Sequence, residues 1–137
     1  MSEDASWNDY VGSADANLTD AQANLDDAGQ NLSNAQDDQA AATYDTSVSD
    51  QYADAAATDA GQAADDAAAG WTGFAQMEGD RASYESDMSD QYAGQAATEE
   101  DAASTSQDDA ATDLSAASDD LGDASTDLSA ASSESDQ

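Results

Sequence analysis

The side chains that could do chemistry in this chain are almost all carboxylates. The 137 residues carry 32 Asp and Glu against one basic residue, Arg81, and contain no His and no Cys. General bases and nucleophiles that work near neutral pH are usually His, Cys or Lys, and nothing singles out two of these carboxylates as an acid/base pair. We therefore expect no catalytic residue, no enzymatic activity and no cofactor.

Carboxylate doublets are the next candidates, because oxygen ligands suit hard cations such as Mg²⁺. The doublets are Asp26-Asp27, Asp65-Asp66 and Asp119-Asp120. Adjacent residues of a helix point to different faces and cannot close one cage, and no EF-hand spacing occurs. The sequence predicts diffuse association of K⁺, Na⁺ and Mg²⁺ without a specific metal site.

The formal net charge of −31 is the feature that most constrains the environment of the chain. Asp dominates over Glu although it is the poorer helix former. A charge excess of this size favours disorder, but the chain has no Pro, many Ala and periodic apolar residues. Its composition resembles that of acidic proteins from extreme halophiles, chiefly haloarchaea and their viruses. In molar salt the Debye length falls to about 3 Å, so neighbouring carboxylates repel each other weakly.

The elements that must carry these side chains are predicted by a seven-residue repeat. The motif Asn-Leu-x-x-Ala recurs at 17–21, 24–28 and 31–35, and Asp-Leu recurs at 113–114, 120–121 and 127–128. Such spacing is typical of the apolar seam of a coiled coil. The similar segments 42–61 and 82–101 each carry apolar residues at steps of four.

The two halves mirror each other in reverse order, which predicts an all-α fold: a long antiparallel two-helix coiled-coil hairpin. Val11 with Leu128 and Leu18 with Leu121 have the same sum of residue numbers, as facing residues of an antiparallel pair should. A single domain results, with arm one over about 5–68, a turn over about 69–73 and arm two over about 74–133. The predicted helix–helix seam alternates layers of large side chains with layers of alanine, in which Ala14 faces Ala124, Ala21 faces Ala117 and Ala28 faces Ala110. The large side chains of the predicted seam are Val11, Leu18, Leu25, Leu32, Tyr44, Val48, Tyr52, Tyr84, Met88, Tyr92, Leu114, Leu121 and Leu128. The facing pairs expected among the tyrosines are Tyr44 with Tyr92 and Tyr52 with Tyr84.

The turn carries Trp71-Thr72-Gly73. A Trp-x-Gly between two helices resembles the small helical-hairpin proteins secreted by type VII systems, although these arms are longer and no Tyr-x-x-x-Asp/Glu tail follows. Trp71, Phe74 and Met77 either plug the end of the hairpin or form an exposed contact tip for a partner or a membrane. Arg81 is expected to pair with Glu78 or Glu85 at helical spacing.

Asn17 and Asn31 lie in Asn-x-Ser/Thr sequons, which we interpret as helix surface and not as glycosylation sites. No basic leader and no long apolar run is present, so neither a signal peptide nor a membrane span is expected. The location is then a virion or cell exterior of a halophile, or the cytoplasm.

The favoured function is structural or assembly work in a halophile, as a virion or surface-appendage component. Large apolar residues are too few for a lone hairpin, so we expect packing against copies of itself or other structural proteins in a larger bundle. The alternatives are a secreted Trp-x-Gly-like module and an acidic DNA mimic. The mimic is disfavoured because a rod of about 90 Å carries about one charge per 3 Å, against about one per 1.7 Å of duplex DNA, and no nucleic acid is expected as a partner.

Overall fold

The computed structural model describes residues 2–135 and consists of two long helices packed against each other. Helix α1 spans Ser2–Ala68 and α2 spans Thr72–Ser135, and the described residues contain no strand. A chain rich in Ala and free of Pro has nothing to interrupt either helix. The predicted helical hairpin is confirmed, and assembly into a larger bundle stays a prediction.

The connection between the helices is a tight glycine-terminated turn. Gly70 has φ +86°, a left-handed conformation that glycine adopts without steric cost. Trp71 N–H donates to the Asp66 carbonyl at 2.8 Å and Gly70 N–H donates to the Ala67 carbonyl at 3.1 Å. These two bonds are the Schellman pattern that satisfies the last carbonyls of a helix. The Trp71 carbonyl accepts from Ala75 N–H at 3.0 Å, so α2 starts directly after Trp71, two residues before the predicted start of arm two.

The chain divides into two compact units, each containing part of both helices. The end unit comprises Met1–Ala35 with Ser104–Gln137, and the tip unit comprises Gln36–Ala103. In the end unit the most deeply buried side chains are all alanines spaced seven residues apart on each helix, none more than 3% exposed: Ala14, Ala21, Ala28, Ala35, Ala110, Ala117, Ala124 and Ala131. Side chains this small let two helix backbones approach closely, so the buried seam is an alanine stripe.

The leucines lie beside this alanine stripe and remain 44–49% exposed. Leu18 follows Ala14 by four residues, and at about 100° per residue it is displaced to one flank of the stripe. Asn17 follows Ala14 by three residues and is displaced to the other flank. Each stripe alanine is therefore fully covered by the opposite helix, whereas the leucines on either side of it along the helix are only partly covered.

In the tip unit the seam contains a serine layer where the two helices touch through polar atoms. Ser49 Oγ donates to the Ser89 carbonyl at 2.8 Å, and Ser89 Oγ donates to the Ser49 carbonyl at 2.9 Å. Hydroxyls that reach the main chain of the opposite helix require the same close approach as the alanines.

Tyr52 and Tyr92, each three residues beyond these serines, stack with ring centroids 5.8 Å apart. The expected pairing of Tyr52 with Tyr84 is wrong, as is that of Tyr44 with Tyr92. Tyr44 and Tyr84 are 68% and 60% exposed, because each lies two residues after a seam alanine and points away from the opposite helix. The pairing follows the seven-residue repeat and not the steps of four.

Candidate functional site

Three amide–carboxylate bridges join the helices of the end unit. Asn17 Nδ2 donates to Asp127 Oδ2 at 3.1 Å, and Asn24 Nδ2 donates to Asp120 Oδ2 at 3.0 Å. The third bridge runs from Asn31 Nδ2 to Asp113 Oδ2 at 2.9 Å. Each partner lies three residues after a buried alanine of its own helix, so each bridge crosses over the alanine stripe. We call this heptad position, three residues after the small seam residue, the bridge position.

The bridges fix which way the leucines of the end unit face. Because the Asn and Asp side chains meet on one side of the alanine stripe, the residues four after each alanine lie on the opposite side of both helices. Six of those residues are leucines and form one apolar stripe, the leucine face: Leu18, Leu25, Leu32, Leu114, Leu121 and Leu128. They are the largest aliphatic side chains of the chain, and about half of each is left in contact with water.

Three of the bridge positions in the tip unit hold carboxyl pairs, whereas the stacked Tyr52 and Tyr92 occupy a fourth. Asp45 faces Glu99, Asp59 faces Glu85 and Asp66 faces Glu78, each at the register of the amide bridges. Glu78, Glu85 and Asp45 are only 8% exposed. Within residues 6–135, the buried side-chain oxygens that no donor reaches are Glu78 Oε2, Glu85 Oε2 and Glu99 Oε2, because two ionised carboxylates have no proton to share.

These surroundings raise the pKa of all three glutamates. Burial, followed by the hydrogen bond and the charge of Asp66, raises the pKa of Glu78. For Glu85 the hydrogen bond with Asp59 is the largest cause of the raised pKa, followed by burial. The pKa of Glu99 is raised first by its hydrogen bond with Asp45 and then by burial. A hydrogen bond between two carboxyls requires a proton on one of them, so it favours the neutral form.

Arg81 lies among these pairs, but its ion-pair partner is not the one expected. Its Nε lies 3.7 Å from Asp59 Oδ2 on the opposite helix, so the expected pairing with Glu78 or Glu85 is wrong. Its positive charge still acts on both glutamates and lowers the pKa of each, against the stronger causes that raise it. The Arg81 side chain is 54% exposed, so solvent screens this ion pair and it contributes little stability.

The predicted contact tip is exposed. Trp71, Phe74 and Met77 are 60%, 59% and 53% exposed, and the rings of Trp71 and Phe74 meet edge to face with centroids 6.3 Å apart. Together with Gly70 and Gly73 they line a shallow open groove. The side chains therefore do not plug the end of the hairpin but stand in solvent around the turn.

The predicted seam residues fall into two groups by exposure. All six leucines, Tyr44 and Tyr84 are exposed, whereas Val11, Val48, Tyr52, Met88 and Tyr92 are half-buried.

Sequence reasoning missed the bridge positions. The signal was present, because the Asn of each Asn-Leu-x-x-Ala repeat recurs with the same period as the leucine. The sequon residues Asn17 and Asn31 are two of these bridge donors.

Two further searches of the described residues bear on cations and membranes. No group of three or more carboxylates in residues 6–135, whose side chains the structure describes, is placed to hold a metal ion. Neither helix has, over the same residues, a segment apolar enough to cross a membrane.

No family model, curated protein or solved structure matches this chain. The function of the bridges, the leucine face and the carboxyl pairs must therefore be argued from their geometry and chemistry.

Proposed function

We propose that this protein is a non-enzymatic structural or assembly protein of an extreme halophile, such as a component of a virion or surface appendage, and that it acts by packing against copies of itself. The observation that carries the proposal is the leucine face. The six largest aliphatic side chains of the chain share one side of the end unit, and each is 44–49% exposed. A contiguous apolar stripe on a soluble protein is typical of an interaction surface.

A second copy of the chain fits this face because the face is self-complementary. On each helix the leucines recur every seven residues, or about 10 Å along the axis. A copy related by a two-fold axis presents the same leucines at the same spacing, as an isologous interface requires. The alanine stripe is already covered within the hairpin, so the leucines are the residues left to bury.

The charge of the chain explains why such packing would depend on salt. Two copies that each carry a net charge of −31 repel each other strongly in dilute buffer. In molar KCl the Debye length is about 3 Å, so the charges beside the interface are screened while apolar burial persists. Self-assembly is therefore expected at the salt concentrations to which the composition of the chain is adapted.

The experiment is analytical ultracentrifugation of the full chain in molar KCl, with circular dichroism on the same samples. We expect the wild-type protein to sediment as an oligomer. The double variant L25Q/L121Q should sediment as a folded monomer, because it places two amides in the leucine face.

The matched control is A23Q/T112Q, which introduces the same side chain at two exposed positions off the leucine face. It should remain oligomeric. A wild-type protein that is a folded monomer at tens of micromolar in molar KCl would refute the proposal, as would a control that dissociates to the same extent as L25Q/L121Q.

The second candidate is a secreted Trp-x-Gly-like hairpin module. The observation in its favour is that Trp71 lies in the turn between the two helices and is 60% exposed. The two candidates predict different whereabouts in a producing culture. A structural component is found in stoichiometric copy number within a particle or appendage, whereas a secreted module is found free, or as a small bundle, in the medium.

A further inference from the structure

The three carboxyl pairs of the tip unit lie at the same register as the amide bridges of the end unit, but they lack the amide donor. In the end unit an amide N–H of Asn24 meets the carboxylate of Asp120 at 3.0 Å. At three of the equivalent positions in the tip unit both helices carry a carboxyl, as in Asp45 with Glu99. Two carboxylates contain no donor, and the Glu oxygen of each pair is left without a partner. One proton per pair would restore the bond that the amide makes.

We propose that each of the three carboxyl pairs of the tip unit is a proton-binding site, in which one proton is shared between the Asp and the Glu and bridges the two helices. The sites are Asp45/Glu99, Asp59/Glu85 and Asp66/Glu78. Glu78 and Glu85 are more than nine-tenths buried, and each has a buried side-chain oxygen that no hydrogen-bond donor reaches. The inference concerns the tip unit alone and does not depend on the leucine face.

The charged groups around each site differ, so the three sites should not bind the proton equally. Glu99 faces Asp45 and Asp38, both acidic, and no cation offsets them. Glu85 faces Asp59 and lies near Arg81. Glu78 faces Asp66 and Asp59, and the positive charge of Arg81 also acts on it and lowers its pKa. Among the three, Glu99 has only causes that raise its pKa.

The direction of the pH dependence follows from the raised pKa of each glutamate. The folded tip unit holds protons that the unfolded chain has already released, so the stabilisation is fully present below the ordinary Glu pKa of about 4.3. It is lost as pH rises through the raised pKa values of Glu78, Glu85 and Glu99. Mild acid should therefore tighten the tip unit, whereas a protein held by ionised salt bridges is loosened by acid.

The direct test is a pH titration of the full chain in molar KCl, with side-chain carboxyl ¹³C shifts recorded on protein labelled at Glu. Glu100 is the internal control, because it is exposed and adjacent to Glu99. We expect Glu78, Glu85 and Glu99 to titrate at higher pH than Glu100. Four coincident titrations would overturn the proposal.

A variant pair tests the energetic consequence. E78Q/E85Q/E99Q supplies a permanent amide donor at each site, and D80N/D87N/E100Q removes the same number of charges at exposed positions. In urea unfolding at pH 4 and pH 7, the first variant should have the higher midpoint at pH 7 and the smaller change between the two pH values. Equal pH dependence in the two variants would overturn the proposal, and the single variant E99Q against E100Q gives the same comparison if a triple variant does not fold.

Discussion

Substitution of Ala21 by Leu tests whether alanines or leucines form the seam. Ala21 is 2% exposed and lies in the alanine stripe of the end unit. Leu has nearly the same helix propensity as Ala, so the backbone preference is unchanged. Only the three added carbon atoms distinguish the variant, and they would have to enter the closest approach of the two helices.

The expected cost is set by overpacking. Extra methylenes forced into a filled core cost about 1–3 kcal/mol, and a site covered as completely as Ala21 belongs near the upper end, at about 2–3 kcal/mol. For a urea m-value of about 2 kcal/mol/M, the unfolding midpoint would fall by about 1 M or more. This is a large share of the total stability of a small domain.

The assay is urea unfolding followed by circular dichroism at 222 nm in molar KCl. The matched control is Ala23→Leu on the exposed side of the same helix, which should change stability by no more than about 0.5 kcal/mol. If the leucine face were the true seam, Ala21→Leu would add apolar surface at its edge and raise the midpoint. A midpoint for Ala21→Leu equal to or above that of Ala23→Leu would therefore refute the alanine seam.

The remaining predictions concern the bridges, the turn and salt. Asn24→Asp removes the donor to Asp120, so it should destabilise the protein by about 1–3 kcal/mol at pH 7 and recover in mild acid; Asn34→Asp, at an exposed residue that only accepts a bond from Gln30, should do neither. Gly70→Ala should cost about 1–2 kcal/mol in urea unfolding because φ is +86°, whereas Gly61→Ala inside α1 should stabilise by about 0.5–1 kcal/mol. Helicity measured by circular dichroism should rise steeply between low and molar KCl, and a flat profile would contradict the salt-adapted interpretation.

The sequence alone was sufficient for the helical hairpin. The absence of Pro, the abundance of Ala and the mirrored seven-residue repeats leave two long helices as the consistent solution, and Gly70 is the natural place to end the first. These are local properties of the chain, since propensity, period and turn chemistry act within a few residues of each other.

The sequence did not determine which face of each helix packs against the other helix. Ala21 and Leu25 recur with the same period, so periodicity cannot say which of them is covered and which flanks the seam. Hydrophobicity favours burial of the leucine, so the predicted seam gave leucine layers and alanine layers equal places. The close approach of the backbones decides otherwise, because an interface narrow enough for Ser49 to reach the Ser89 carbonyl has no room for larger side chains.

The candidate sites show the same division. The sequence determined that carboxylates would be everywhere and that the aromatic tip would flank the turn. Only the tertiary structure brought Glu99 to Asp45 and Asn24 to Asp120, residues that are 54 and 96 positions apart in the sequence. The register between the two helices decides which carboxylates are solvated and which face another carboxyl in a buried pair. Register is a property of the packed helix pair, so it cannot be determined from the sequence of either helix alone.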